Sequence, residues 1–198
     1  MTSTDQHIRF LFDPTCPWTW RTSLWIREAA RVRPITIEWS LLSLAYLNRE
    51  HADAATQARN ERRKPALRLF ARAEQHNGQS GIDQLYLALG TAVHVHKQSL
   101  ETPEVLAAAL TAAELPAELL TTSEDDAVLD AELEAKYAAA VASGVFGVPT
   151  LYFGDNPAPY FGPVIDPPPQ GETAGQLWDH VYGIAQHPYF YELKRNRG

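Results

Sequence analysis

The chain has one cysteine, Cys16, in the segment Phe12-Asp13-Pro14-Thr15-Cys16-Pro17-Trp18-Thr19-Trp20. An extended apolar run, residues 8–12, precedes it, and a run with helical spacing, residues 20–32, follows it. A cysteine at such a strand-to-helix turn lies where the first helical N–H groups point outward, and these donors and the helix dipole stabilise a thiolate. Pro17 suits the first helical position, because its missing N–H would have no partner there. The pattern favours a thiolate nucleophile over the alternative, a small buried hydrophobic side chain.

Thr19 occupies the position at which a Cys-x-x-Cys motif has its second thiol, so the motif is a monothiol Cys-Pro-Trp-Thr. A mixed disulfide of Cys16 then has no internal thiol to resolve it, and each turnover must consume an external thiol. The Thr19 hydroxyl could donate to the thiolate one helical turn away, or it could be a neutral residue of the first turn. Trp18 could stack on a planar substrate, whereas Trp20 and Trp25 have the spacing of core residues.

The bulk composition is that of one ordinary globular chain of 198 residues, 45% hydrophobic and 21% charged. A net charge of −7 argues against a nucleic-acid partner. The polar N-terminus and the lack of a run of about 20 apolar residues predict no signal peptide, no membrane span and a cytoplasmic location. A single cysteine fits that reducing compartment. The local basic cluster is interpreted as a solvated helix face, with a weaker alternative as a binding surface for an acidic small molecule: Arg59, Arg62, Arg63, Lys64, Arg68 and Arg72.

The order of elements predicts a split β-α-β and β-β-α arrangement. Residues 8–12 and the alternating segment 35–40 predict two parallel strands joined by the first helix. Extended character returns over 145–153 and 160–165, and residues 173–186 predict a last helix.

An alanine-rich block between these halves predicts four helices. The first covers about 54–75, with a kink or division at Pro65 and an end at Asn77-Gly78. The second covers 82–97. The third begins at Pro103 after the cap Thr102 and ends before Pro116. The fourth begins at Ser123, which with Asp126 approximates a capping box, and ends before Gly144.

Without this block the order is that of the thioredoxin fold. We therefore predict an α/β thioredoxin fold, residues 1–51 and 144–198, with a large inserted all-helical domain, residues 52–143, as a separate lid over Cys16. The fold predicts a cis peptide bond between Val148 and Pro149 opposite the nucleophile, although most X–Pro bonds are trans. In that geometry the Val148 backbone could pair with an extended thiol ligand.

The remaining polar candidates are weaker. His94 and His96 lie two residues apart on a predicted helix, so they point to different faces and form a poor metal pair. No other histidine spacing suits zinc, and we expect no metal site. Asn48 could bind a ligand or stabilise a turn. Asp13 could cap the helix after it or tune the thiol.

These motifs resemble the DsbA-like branch of the thioredoxin superfamily, and within it the mycothiol-dependent nitroreductase family. The matching residues extend along the whole chain: Phe12-Asp13-Pro14, Cys16-Pro17-Trp18, Trp20, Thr22-Ser23, Trp25, Ser43-Leu44, Leu47-Asn48, Gly90-Thr91, His94, Gly147-Val148-Pro149-Thr150, Gly162-Pro163-Val164-Ile165 and Glu192-Leu193-Lys194-Arg195. The resemblance implies an enzyme that draws electrons from mycothiol to reduce small aromatic electrophiles. It also implies that Trp18, Asn48 and His94 face the pocket of Cys16.

We therefore expect an oxidoreductase with Cys16 and Thr19 as catalytic residues, and with substrate contacts from Pro17, Trp18, Asn48, His94, Val148 and Pro149. No cofactor should be tightly bound, and mycothiol or glutathione should serve as co-substrate. The partners should be this thiol and an electrophilic or disulfide substrate, without nucleic acid or membrane, and a homodimer stays open. Two alternatives remain: a glutathione-transferase-like or isomerase-like enzyme of the same fold, and a non-enzymatic thiol-binding protein.

Overall fold

The computed structural model describes residues 5–121 and 125–196, and its centre is a four-stranded mixed sheet. The strands are β1 Gln6–Phe12, β2 Ile35–Leu41, β3 Thr150–Phe153 and β4 Tyr160–Phe161, in the order β2-β1-β3-β4. β1 pairs parallel with β2 and antiparallel with β3, which pairs antiparallel with β4. The prediction of a thioredoxin fold with inserted helices is confirmed. The two last strands are shorter than predicted, since residues 145–149 and 162–165 are outside the sheet.

Helix α1, Pro17–Ala30, joins the two parallel strands, with Cys16 as its N-cap residue and Pro17 in its first turn. Trp25 and Ile26 on its inner face are fully buried. The last helix, α6 Gly171–Ala185, packs against α1, and the Trp25 indole N–H donates to the Ala174 carbonyl oxygen at 3.2 Å. The core positions expected for Trp20 and Trp25 are confirmed, with 4% and 0% exposure.

The block between β2 and β3 is helical, as predicted. It contains α2 Leu44–Leu47, a 3₁₀ turn Arg49–His51, α3 Ala54–Gly90, a π turn Thr91–Val95, α4 Pro103–Ala112, a 3₁₀ turn Ala117–Leu120 and α5 Asp126–Ala142. Thr102 is the N-cap of α4. Ser123 lies outside the described residues, and α5 has Asp125 as its N-cap, without a side-chain capping bond.

Helix α3 is interrupted at one of its two predicted break points. Asn77 and Gly78 have non-helical dihedral angles, as their turn-forming residue types predict, and Gly78 has a positive φ of 56°. The expected division at Pro65 is wrong, because the helix continues through this residue. A proline removes only one helical hydrogen bond, and the next turn is held by the fully buried Ala66, Leu69 and Phe70.

The helical block shares its hydrophobic core with the sheet. The Tyr86 ring from α3 stacks on Phe12 of β1 with centroids 4.0 Å apart. The Phe70 ring, also from α3, meets the Phe12 ring edge-on with centroids 5.3 Å apart. A helix packed this closely on the sheet orients the residues of the turn that follows β1. The boundaries at residues 51 and 144 stay a prediction. None of the helices in the described segments has the length and apolarity that crossing a bilayer requires.

Ion pairs account for most of the basic cluster. Arg68 pairs with Asp126 at 2.7 Å and with Asp130 at 2.6 Å, and Arg72 also pairs with Asp126. These two arginine side chains are only 17% and 13% exposed, so they connect α3 to α5 instead of forming a solvated face. Sequence spacing could not show this, because the carboxylates come from an element more than 50 residues away.

Candidate active site

Cys16 lies where β1 ends and α1 begins, opposite the segment that leads into β3. The pairing of Leu11 with Thr150 brings residues 148–149 next to the cysteine. The Cys16 Sγ is 4.0 Å from the Val148 carbonyl oxygen, and the Val148–Pro149 peptide bond is cis. Cys16 is the N-cap residue of α1, the position next to the free N–H groups of the first helical turn, and its side chain makes no capping hydrogen bond to them. The residue is 7% exposed.

Asp13 holds the turn that carries the cysteine. Its Oδ1 accepts hydrogen bonds from the Thr15 backbone N–H at 2.7 Å and the Thr15 hydroxyl at 2.6 Å. Its Oδ2 accepts from the Leu44 N–H, the first residue of α2, at 2.6 Å. The Cys16 N–H donates to the Asp13 carbonyl oxygen at 3.1 Å. The carboxylate thus satisfies the first N–H of α2, whose N-cap residue is Ser43, and ties that helix to the turn before Cys16.

His94 supports the same turn from the other side. Its Nε2 lies 2.9 Å from the Pro14 carbonyl oxygen, and since a carbonyl only accepts, Nε2 carries the proton. The ring stacks on Trp20 with centroids 5.7 Å apart. Burial lowers the pKa of His94, partly offset by the bond to Pro14, so the imidazole is neutral at pH 7. The structure brings His94 to the site, with its Nε2 proton directed at the backbone.

Thr19 is fully buried on α1, one turn after Cys16. Its Oγ1 makes no hydrogen bond to any described residue, so the expected donation to the Cys16 sulfur is not formed in this structure. A buried hydroxyl without a partner is uncommon, because it loses its bonds to water and gains none in return.

Exposed or half-buried aromatic side chains lie close in the sequence to Cys16 and Val148. Pro17 is exposed, and Trp18 is half-buried, with the Arg21 guanidinium 5.3 Å from its ring centroid. Phe146, in the segment before β3, and Phe161 of β4 are 74% and 47% exposed, with ring centroids 5.1 Å apart. The sequence interpretation missed this pair, although Phe146 stands only two residues before Val148.

Gly147 allows the close approach of the second ring of that pair. A Cβ at residue 147 would lie 2.8 Å from the Phe161 ring, so a side chain there would push the ring away. The glycine therefore sets the position of Phe161 beside the segment that faces Cys16.

Asn48 lies at the C-terminal end of α2, exposed, and its amide donates to the Leu44 carbonyl oxygen at 2.8 Å. Of the two roles predicted for Asn48, the structure shows the stabilisation of a turn. Asn48 also lines a cavity of about 320 Å³, together with Asp13 and Thr15 from the turn before Cys16. Over the described segments, no group of three or more His, Cys, Asp or Glu side chains is arranged to hold a metal ion.

Comparison with known proteins gives a family and a fold. Residues 15–195 match the model of a family described as Rv2466c-like, mycothiol-dependent nitroreductase Rv2466c. The uncharacterized protein Rv2286c of Mycobacterium tuberculosis is 32% identical over 195 residues, which span 98% of this chain and 82% of that protein.

Among solved structures, the fold is similar to a probable DsbA oxidoreductase, SCO1869 of Streptomyces coelicolor. The TM-score is 0.62 at 16% identity, with 96% of this chain and 94% of the other covered. A 2-hydroxychromene-2-carboxylate isomerase is similar with a TM-score of 0.57 at 14% identity, covering 89% and 94%. At such low identities the likeness concerns the fold alone.

Proposed function

The chain belongs to the Rv2466c-like family of mycothiol-dependent nitroreductases, and from that premise we propose that it is a reductase with Cys16 as its only redox sulfur. The observation that carries the proposal is the placement of this single cysteine at the N-cap of α1, 4.0 Å from the Val148 carbonyl oxygen. With threonine at the position of a resolving cysteine, the reducing equivalents come from a low-molecular-weight thiol, mycothiol in the first instance. A single reduced cysteine suits the cytoplasm.

The proposed cycle uses two external thiols for each two-electron reduction. The Cys16 thiolate first adds to the electrophilic substrate and forms a covalent bond from its sulfur. An external thiolate then attacks the Cys16 sulfur, and the bond between sulfur and substrate breaks with its electron pair on the substrate, which takes up protons. A second external thiolate attacks the resulting mixed disulfide and releases Cys16. Two thiols are thereby oxidised to one disulfide. With a disulfide substrate, the first attack itself forms the mixed disulfide and expels a thiolate.

The surroundings of Cys16 suggest which groups would bind the substrate. Trp18, two residues after Cys16, and the ring pair of Phe146 and Phe161 offer apolar ring surfaces, which favour a planar aromatic electrophile such as a nitroaromatic. The Val148–Pro149 backbone would contact the part of the ligand next to the reacting sulfur. His94 would act through its bond to Pro14, as a positioning residue for the turn.

The decisive experiment is turnover of a nitroaromatic with increasing mycothiol, together with intact-mass analysis of the protein after exposure to oxidised mycothiol. We expect the rate to depend on the thiol concentration and one thiol mass to be added at Cys16. Cys16→Ser should abolish both. Full turnover by the wild type without added thiol would contradict the proposal.

An isomerase-like or transferase-like enzyme, which activates a bound thiol without cycling its own sulfur, is the second candidate. The similar fold of the solved 2-hydroxychromene-2-carboxylate isomerase suggests this candidate, and threonine in place of a second cysteine is compatible with it. Turnover retained in Cys16→Ser would support this candidate and exclude the first one.

A further inference from the structure

The cavity beside the Cys16 turn is lined by the residues before the cysteine and not by Cys16 itself. It lies between residues 13–15, helix α2 and the N-terminal half of α3, and its volume of about 320 Å³ suits a small ligand. Thr15 is part of its wall and directly precedes Cys16. Since consecutive Cα atoms are about 3.8 Å apart, the cavity begins within one residue of the nucleophile.

One stripe of α3 forms a wall of this cavity. Thr56, Asn60, Arg63 and Leu67 all line it, at spacings of four, three and four residues, so they share a helix face. Each is half-buried. A helix face directed at the protein is normally apolar, but only Leu67 of these four is. The three polar residues lie nearest the N-terminus of the helix and are half-buried, so they are not part of the buried hydrophobic core.

Two of these polar groups have unused hydrogen-bonding capacity. The Asn60 amide makes no side-chain hydrogen bond within the described residues. The Arg63 Nε is buried and also lacks a hydrogen bond there, although it lies 3.4 Å from the Glu101 carboxylate. The Arg63 Nε has no accessible surface and cannot reach a ligand in the cavity, whereas the half-buried Asn60 amide lies on the cavity wall. An amide without a side-chain hydrogen bond on a cavity wall suits a polar occupant.

The charges around the cavity indicate an occupant without carboxylates. Asp13 and Asp53 contribute two carboxylates to the wall, and the Arg63 cation is already beside Glu101. An anionic ligand would meet these carboxylates, and among the lining residues that the structure describes the one arginine is already paired. Neutral hydroxyl groups could both donate to the carboxylate oxygens and accept from the Asn60 amide.

We propose that this cavity binds the neutral, polyhydroxylated part of the thiol co-substrate while its sulfur reaches Cys16. The proposal rests on the proposed function and names the class of thiol: one like mycothiol, an N-acetylcysteine joined to a neutral glucosamine–inositol unit. Glutathione, with two carboxylates, is disfavoured. Binding there raises the local concentration of the thiolate that attacks the substrate adduct and the mixed disulfide.

The test measures the rate at which reduced thiols release Cys16 from a mixed disulfide preformed with a chromogenic aromatic thiol. Mycothiol is compared with N-acetylcysteine, which has the same reacting group but lacks the sugar. In the wild type, mycothiol should react faster at equal thiolate concentration. Asn60→Leu should slow mycothiol about tenfold, the effect of one or two lost hydrogen bonds, and leave N-acetylcysteine unchanged. Asn60→Trp, which fills the cavity, should remove the preference altogether.

Gln75→Leu is the matched control, an equivalent amide-to-leucine change at an exposed position of α3 away from the cavity. It should leave both rates unchanged. An equal loss for both thiols, or an unchanged preference for mycothiol in Asn60→Trp, would overturn the cavity assignment but not the external-thiol cycle. A wild type that prefers glutathione to mycothiol would also overturn it. Turnover that needs no thiol at all would overturn the proposed function itself.

Discussion

Thr19→Val should stabilise the protein while it slows the chemistry. The Thr19 hydroxyl is fully buried and has no partner among the described residues. An unsatisfied buried hydroxyl costs about 1–3 kcal/mol, and valine keeps the shape of threonine without the polar atom. We expect the free energy of unfolding to rise by about 1 kcal/mol. This is the lower end of that range, because the methyl group that replaces the hydroxyl must fit a packed site. For a chain of this size the gain corresponds to about 2–4 °C in Tm.

Thr22→Val is a matched control on the same helix. Thr22 is also fully buried, but its hydroxyl donates to the Pro163 carbonyl oxygen at 3.0 Å and accepts from the Ile165 N–H at 3.4 Å. The valine there removes both bonds and leaves buried partners unsatisfied, so the free energy of unfolding should fall by about 1–2 kcal/mol. Urea titration of both variants measures the two changes, which should have opposite signs at an unchanged m-value.

The kinetic consequence of Thr19→Val concerns the charged form of Cys16. The kinetic test asks whether the Thr19 hydroxyl donates to a Cys16 thiolate one helical turn away, since a hydrogen bond to a charged group contributes about 1.5–3 kcal/mol. Its loss should slow the attack of Cys16 on oxidised mycothiol at pH 7 about tenfold or more. If Thr19→Val loses stability as Thr22→Val does, the hydroxyl has a partner after all. An unchanged rate would show that Thr19 is not a catalytic residue.

Three further changes test other parts of the structure. Asp13→Ala removes the acceptor of three hydrogen bonds of 2.6–2.7 Å, so the free energy of unfolding should fall by about 3 kcal/mol or more. The reaction of Cys16 with oxidised mycothiol should also slow. Wild-type values of both the unfolding free energy and this rate would contradict the role of Asp13 in holding the turn. Thr19→Cys should let Cys16 form an internal disulfide and weaken the dependence of turnover on thiol concentration, as single-turnover kinetics would show. The hydrogen bond from Arg68 lowers the pKa of Asp130 in the folded protein. The stabilisation of the fold by this pair is therefore complete above the pKa of the unfolded carboxyl group, and it is lost as the pH falls through the lower pKa of the folded state. Arg68→Met should therefore have a lower free energy of unfolding than the wild type at pH 7. When the pH is lowered below about 4, this free energy should fall less in the variant than in the wild type.

Local sequence pattern determined the order of elements and indicated Cys16 as the candidate nucleophile. The strand before Cys16, the proline after it and the helical spacing beyond it are signals carried by neighbouring residues, and the structure has β1 and α1 where they predict them. Helix ends at Thr102 and at Asn77-Gly78 follow from the preferences of single residue types for caps and turns. Such signals need no knowledge of what packs against them.

The partners of the site residues were decided only by the tertiary structure. The Asp13 carboxylate caps a helix that begins 31 residues later, and His94 meets a carbonyl 80 residues earlier. Arg68 and Arg72 became interhelical ion pairs, and Asn60 faces a cavity whose other walls come from α2 and the Cys16 turn. The sequence determined which groups could do chemistry, because side-chain type and local conformation are local properties. Only the packing of distant segments decided which donors are satisfied and which remain free for a ligand, since satisfaction depends on both partners of a contact.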